Sequence, residues 1–184
     1  MKMMSCAPFV QTPIEIAKKI IEIADIKPGQ KLFDLGAGDG RLVIMTAQAT
    51  EAFTIGVEME GGLVERARSE IKRLNLEARA SIIHDDFFNV DLSGADVVTL
   101  FLSPIGNESL QPKFERELKK GTKVVSLDFE VGDWKPSGVH TVYHMIRSRA
   151  ISPGDPLIDP STHVLRTIYL YKVGEQLESD RRRP

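Results

Sequence analysis

The heptapeptide Asp34-Leu35-Gly36-Ala37-Gly38-Asp39-Gly40 sits between a short apolar run, Lys31-Leu32-Phe33, and the helical pattern Arg41-Leu42-Val43-Ile44-Met45-Thr46-Ala47. An apolar run that meets closely spaced glycines and then a helical period reads as strand, tight turn, helix, the opening unit of a nucleotide-binding α/β sheet. Glycine lets the chain turn sharply there. It also lets a ligand lie against bare backbone, with N–H groups at the start of the helix aimed at it.

Carboxylates decide which ligand such a turn would take. Asp34 precedes the first glycine and Asp39 lies among them. Beside a pyrophosphate they would repel, whereas they suit a ligand carrying an ammonium group and a sulfonium. The spacing is Gly-x-Gly-x-Gly, not the dinucleotide Gly-x-Gly-x-x-Gly, and the Lys-Ser/Thr of a P-loop is missing. A further acid, Glu58, ends the next apolar run, Phe53-Thr54-Ile55-Gly56-Val57. At the tip of the second strand of a Rossmann-like sheet, a carboxylate accepts hydrogen bonds from both ribose hydroxyls. These features favour S-adenosylmethionine over NAD or ATP and assign Asp34, Gly36, Ala37, Gly38, Asp39, Gly40 and Glu58 to it.

The remaining chain fits one α/β unit. Its 184 residues are 42% hydrophobic and 27% charged, a balance that excludes a disordered chain. No apolar run approaches the roughly 20 residues that span a bilayer, so a membrane is not expected as a partner. Cys6 is the single cysteine, and no Cys/His cluster resembles a metal site, so a reducing, cytoplasmic setting without metal is expected. Lys and Arg number 24 against 26 acids, a net charge of −2 that supplies no global field for nucleic acid.

Periodicity predicts a helix from Thr12-Pro13 to about Asp25, with Thr12 as cap and Glu15 closing a capping box. It then predicts strand 31–35, helix 40–49, strand 53–58, helix 62–74, strands 80–84 and 96–102, helix 107–119 and strand 123–128. Two alternating runs, His140 to Arg149 and His163 to Val173, read as an antiparallel pair joined by the Pro/Gly-rich Ser152-Pro153-Gly154-Asp155-Pro156. Residues 175–184, with Arg181-Arg182-Arg183, read as a flexible tail. His84 beside Asp85 suits either a base or a satisfied strand-end histidine.

Five parallel strands followed by an antiparallel pair, with an acidic glycine loop after the first, resemble the class I methyltransferases from about Pro13 to Val173. The fold implied is Rossmann-like: a mostly parallel seven-stranded sheet with an antiparallel strand near the C-terminus, in one domain spanning 1–184. By the same resemblance Glu58 would bind the ribose and Asp85, Asp86 and Phe87 the adenine; a turn acid and a core aromatic would look alike in sequence.

A narrower likeness runs from about residue 8 to 136. Pro8-Phe9-Val10-Gln11-Thr12-Pro13, the loop with Arg41, Phe129 and Trp134-Lys135-Pro136 resemble the non-SET protein lysine methyltransferases of archaea and mitochondria. Members usually carry Tyr where this chain has Phe9 and Pro where it has Gln11. The likeness implies that residues 1–12 fold over the cofactor, with Thr12 near its carboxylate end. After the fourth strand stands Phe101-Leu102-Ser103-Pro104, not the Asn/Asp-Pro-Pro-aromatic loop that orients planar nitrogens. A lysine amine needs an apolar passage, for which Phe101, Phe129 and Trp134 would be walls and Ser103 an acceptor; ordinary core packing would use the same aromatics. The expected activity is S-adenosylmethionine-dependent methylation of protein lysine, with RNA or small-molecule methylation, or a non-catalytic cofactor-binding subunit, as alternatives.

Overall fold

The computed structural model describes residues 9–145 and 163–175. Eleven elements follow in order: α1 (Ile14–Ala24), β1 (Lys31–Leu35), α2 (Arg41–Ala49), β2 (Phe53–Glu58), α3 (Gly61–Arg73), β3 (Ala80–His84), β4 (Val97–Leu100), α4 (Pro104–Glu117), β5 (Lys123–Leu127), β6 (Gly138–Met145) and β7 (His163–Lys172). The strands form one sheet in the order β3-β2-β1-β4-β5-β7-β6. Pairs among β1 to β5 are parallel; β7 runs antiparallel to β5, and β6 antiparallel to β7. The expected seven-stranded, mostly parallel sheet is thus observed.

Strand alternation feeds two cores. Leu32, Val97, Val125 and Leu127 face α1, whose Ile16, Ala17, Ile20 and Ala24 repeat at helical spacing and bury against them. Phe33, Leu35, Val98, Leu100 and Val124 face the other way, toward Leu110 and Phe114 of α4. A third cluster packs α2 and α3 onto the β2–β3 end through Val43, Ile44, Val64, Ala67 and Ile82. Chain direction across the sheet reverses at β1, with β2 on one side and β4 on the other. Beyond their carboxyl ends this leaves a crevice, the usual ligand site of such sheets.

Two helix starts differ from the expected ones. Pro13, not Thr12, occupies the cap position of α1, and no side chain caps that helix. The cause lies across the crevice, where Arg41 Nη1 donates to the Thr12 carbonyl at 2.7 Å, while Pro13 stays extended at ψ 147°. The fourth helix begins at Pro104, not 107, because Ser103 caps it by accepting from the Gly106 N–H at 3.1 Å and Pro104 takes the first turn. Residues 1–8, the 152–156 linker and residues 176–184 of the expected tail lie outside the described residues. Among those described, no helix is long and apolar enough to cross a membrane.

Candidate active site

The crevice opens into a cavity of about 570 Å³. Its lining joins Phe9, Val10 and Thr12 to the glycine turn, to Glu58 at the end of β2, to Asp86 and Phe87, and to Phe101 and Leu102 past β4.

At the turn, Gly36, Gly38 and Gly40 take φ of 74°, 56° and 75°, where a side chain is strained. A Cβ at Gly38 would run into the Phe9 ring, so the N-terminal segment lies directly on the loop. The loop's donors are nearly all taken. Gly36 and Ala37 both donate to the Val57 carbonyl (2.9 and 3.0 Å), Gly40 to Ala37 (2.9 Å), and Gly38 to Glu58 Oε2 (2.8 Å). The Gly36, Ala37 and Gly38 N–H groups are thus spent on β2, and that of Gly40 within the turn. A phosphate would find carboxylates there and no free cradle.

Glu58 itself is set by its neighbours. Its Oε1 accepts from the Met59 and Glu60 N–H groups, both at 2.9 Å, and with Gly38 on Oε2 about one lone-pair site of the carboxylate is left for a ligand's hydroxyl. Asp34 stands at the floor of the cavity, 7% exposed, with Oδ1 accepting from Thr99 Oγ1 at 2.7 Å. Burial pushes its carboxyl up to about 7 against the Thr99 hydrogen bond, and the nearby charges of Glu58 and Asp39 push the same way. Thr99, buried in the otherwise apolar β4, escaped the sequence reading; a lone hydroxyl in Val97-Val98-Thr99-Leu100 was its only signal.

Asp39 lines the cavity as well, and it is paired there. Arg41 grips it through Nε (3.0 Å) and Nη2 (2.7 Å), and Gln11 Nε2 donates to it at 3.1 Å. Burial works to raise its carboxyl, but the Arg41 hydrogen bonds and charge outweigh that and hold it below the usual carboxylate range. With Arg41 also on Thr12, the pair clasps residues 11 and 12 to the loop. Asp39 therefore lies in the cavity lining as one half of an ion pair with Arg41.

Of the Asp85-Asp86-Phe87 stretch, Asp86 and Phe87 line the cavity. Asp85 does not; exposed, it accepts from Asn89 Nδ2 (2.8 Å) and the Asp86 N–H (2.7 Å), and the Asn89 bond holds its carboxyl below the usual range. His84 Nε2 lies 3.1 Å from the Met59 carbonyl, a strand-end contact.

The four expected catalytic residues separate. Phe101 lines the cavity. Ser103 is outside the lining, its hydroxyl used as the α4 cap. Phe129 is partly exposed and also outside, its carbonyl taken by Ser126 and Asn107. Trp134 is buried in the α4 core, with ring centroids 6.0 Å from both Phe114 and Tyr171 and Nε1 donating to Glu115 at 3.1 Å. Trp134 is not among the residues that line the cavity.

Among the described residues no group of His, Cys, Asp or Glu is arranged to hold a metal ion. What the cavity can hold is a ligand with a polarised sugar edge, a flat apolar group near Phe87 and positive charge near Asp34. S-adenosylmethionine has those parts. Gly36, Ala37 and Gly38 would supply the bare surface, Glu58 the ribose acceptor, and Asp86 with Phe87 the adenine contacts.

Residues 34–138 match the family described as the ANTKMT methyltransferase domain. A protein-lysine N-methyltransferase of Saccharolobus islandicus is 37% identical over 169 residues, covering 91% of this chain and 94% of that protein. The adenine nucleotide translocase lysine N-methyltransferase of Mus musculus is 31% identical over 132 residues, 72% of this chain but 57% of that protein. Among solved structures, an RNA methyltransferase from Salinibacter ruber in complex with S-adenosyl-L-homocysteine superposes with a TM-score of 0.74 at 32% identity, covering 90% of this chain and 95% of that one. With a site lined as described and likeness over nearly its whole length, the chain belongs to the family of methyltransferases defined by the ANTKMT domain.

Proposed function

We propose that the chain transfers methyl groups from S-adenosylmethionine to the ε-amino group of lysine side chains in protein, working as one unit in the cytoplasm with its N-terminal segment closed over the donor. The observation that carries the donor is the glycine turn, whose Gly36, Ala37 and Gly38 N–H groups are spent on Val57 and Glu58 and whose cavity is lined by Asp34, Glu58, Glu60 and Asp86, with the lining cation Arg41 paired to Asp39. Such a surface repels phosphate and accepts a cationic, hydroxyl-bearing ligand. The lysine acceptor is supported by the relatives' names and by the apolar wall of Ile20, Phe101 and Leu102 beside the acids.

When bound, the donor supplies a methyl group activated on a sulfonium. The chain's own task is alignment, exclusion of water and removal of charge from the amine. A free lysine titrates at about 10.4, and an apolar wall favours its neutral form. The rate of transfer should therefore rise with pH as the bound amine loses its proton. A flat rate between about pH 7 and 9 under saturating substrate would argue for another acceptor chemistry.

Glu58→Ala should weaken binding of S-adenosylmethionine by about 1.5–3 kcal/mol, the range for a hydrogen bond to a charged group, or roughly 10- to 150-fold. Isothermal titration measures this directly, and unchanged affinity would remove Glu58 from the site.

An RNA acceptor is the second reading, favoured by the name of the Salinibacter ruber structure. The acids lining the cavity and the net charge of −2 oppose it. Incubation with methyl-labelled donor and cell extract, followed by mass spectrometry of the protein and RNA fractions, separates the two. Label on lysine is expected; label confined to nucleotides or metabolites would overturn the proposal.

A further inference from the structure

Where β4 and β5 leave the sheet, Phe101, Asp128 and Arg166 form a constellation to which the cofactor assigns no task. The Arg166 guanidinium, reaching over from β7, lies 5.0 Å from the centroid of the Phe101 ring. The same group is paired with Asp128, Nε at 3.0 Å from Oδ1 and Nη2 at 2.6 Å from Oδ2. A cation thus sits between a carboxylate and an aromatic ring, and that ring lines the cavity. The β4–β5 ladder ends with Leu100 beside Ser126, and Asp128 follows directly after the last residue of β5.

From this arrangement we infer that the Phe101 ring and the Asp128 carboxylate form the seat for the substrate's lysine ammonium, and that Arg166 fills the seat until substrate arrives. The inference rests on lysine being the acceptor and gives it an entry site. Its chemistry is that of a primary alkylammonium ion: aliphatic chain against Leu102, charge over the ring, N–H groups on the carboxylate.

The backbone gives independent support. Asp128 takes φ 65°, a left-handed conformation that a non-glycine residue adopts at some strain. It is held there by β7, its N–H donating to the Thr167 carbonyl at 2.7 Å and Oδ1 accepting from the Thr167 N–H at 3.3 Å. That conformation fixes the carboxylate between the Arg166 guanidinium and the Thr167 N–H. Exchange is also balanced in charge. An ammonium replaces a guanidinium, so Asp128 keeps a cationic partner throughout, and the Arg166 side chain is 13% exposed.

The test uses n-butylammonium chloride, with n-butanol as the neutral control, titrated by calorimetry into the protein saturated with S-adenosylhomocysteine. The wild type should bind the ammonium weakly and the alcohol not at all. Arg166→Met, which empties the seat, should tighten ammonium binding about tenfold and lower KM for a protein substrate. Asp128→Asn should weaken it at least tenfold while affinity for S-adenosylhomocysteine stays level. Arg166→Gln, still able to hydrogen-bond Asp128 but without charge, serves if the methionine variant melts below the assay temperature, and should tighten binding in the same direction. If both folded Arg166 variants bind n-butylammonium no better than wild type, or Asp128→Asn binds it equally well, Arg166 is a fixed counter-ion and the seat does not exist. Failure of lysine as the acceptor looks different: ammonium binding that depends on Asp128, with no methyl label on protein lysine.

Discussion

Replacing Asp34 with asparagine should make the cofactor-free protein more stable at neutral pH while stripping it of much of its affinity for S-adenosylmethionine. The carboxyl is buried beneath the cavity, and burial outweighs the Thr99 hydrogen bond to push it from the ordinary 3.8 to about 7. Between those values the folded protein holds a proton that the unfolded chain has released. Stability therefore falls as pH rises from about 4 to about 7, and the loss is complete above the folded value. Its ceiling is about 4 kcal/mol. Asparagine keeps the shape, and its side-chain oxygen still accepts from Thr99, but it carries no charge to desolvate. Wild type and Asp34→Asn should melt together near pH 4 and separate steadily toward pH 8, with the variant higher. Binding should go the other way, because a cationic ligand favours the ionised carboxylate. Affinity of the wild type should climb with pH up to about 7 and then level, with proton release on binding below that point, whereas the variant should bind about 10- to 100-fold more weakly with little pH dependence. Equal melting of the two proteins at pH 8 would show that Asp34 is not held under strain.

That site was only partly legible in the sequence, for a physical reason that differs from residue to residue. The glycines, Asp34 and Glu58 lie within 25 positions of one another, and local rules tie them together: strand, turn, helix, then an acid at the next strand's tip. Thr99 meets Asp34 only because β4 pairs with β1, Asp34 beside Thr99, a contact 65 positions apart. Arg166 reaches Phe101 across a similar span, and only because β7 inserts beside β5 ahead of β6. The start of α4 is the opposite case. Ser103-Pro104 is a cap and first-turn signal present in the sequence, obscured by reading the stretch as a substrate loop. Asp39 shows a third kind of limit: its partner Arg41 is two residues away, yet nothing in the spacing says whether that arginine turns inward to the acid or outward to water.

Trp134→Ala should be expressed chiefly as lost stability, about 3–5 kcal/mol, the range for truncating a buried tryptophan to alanine. The ring is 7% exposed and lies 6.0 Å from both Phe114 and Tyr171, with its Nε1–H on Glu115. Removing it opens a void at the junction of α4, β5 and β7. Tyr171, which accepts the Val131 N–H at 3.1 Å and whose burial raises its hydroxyl to about 12, would be left without one side of its packing. Trp134→Phe restores much of the apolar contact but not the hydrogen bond, and should fall between wild type and alanine, closer to wild type. Trp134 is not among the residues lining the cavity, which include Phe101 and Leu102. Below its melting temperature the alanine variant should therefore bind S-adenosylmethionine with wild-type affinity and keep the wild-type KM for a protein substrate. Denaturant titration and steady-state kinetics on the same preparation separate the two roles. A large rise in KM at unchanged stability would put Trp134 back on the substrate path, and would mean that the loop from Phe129 to Pro136 swings toward the cavity when substrate binds.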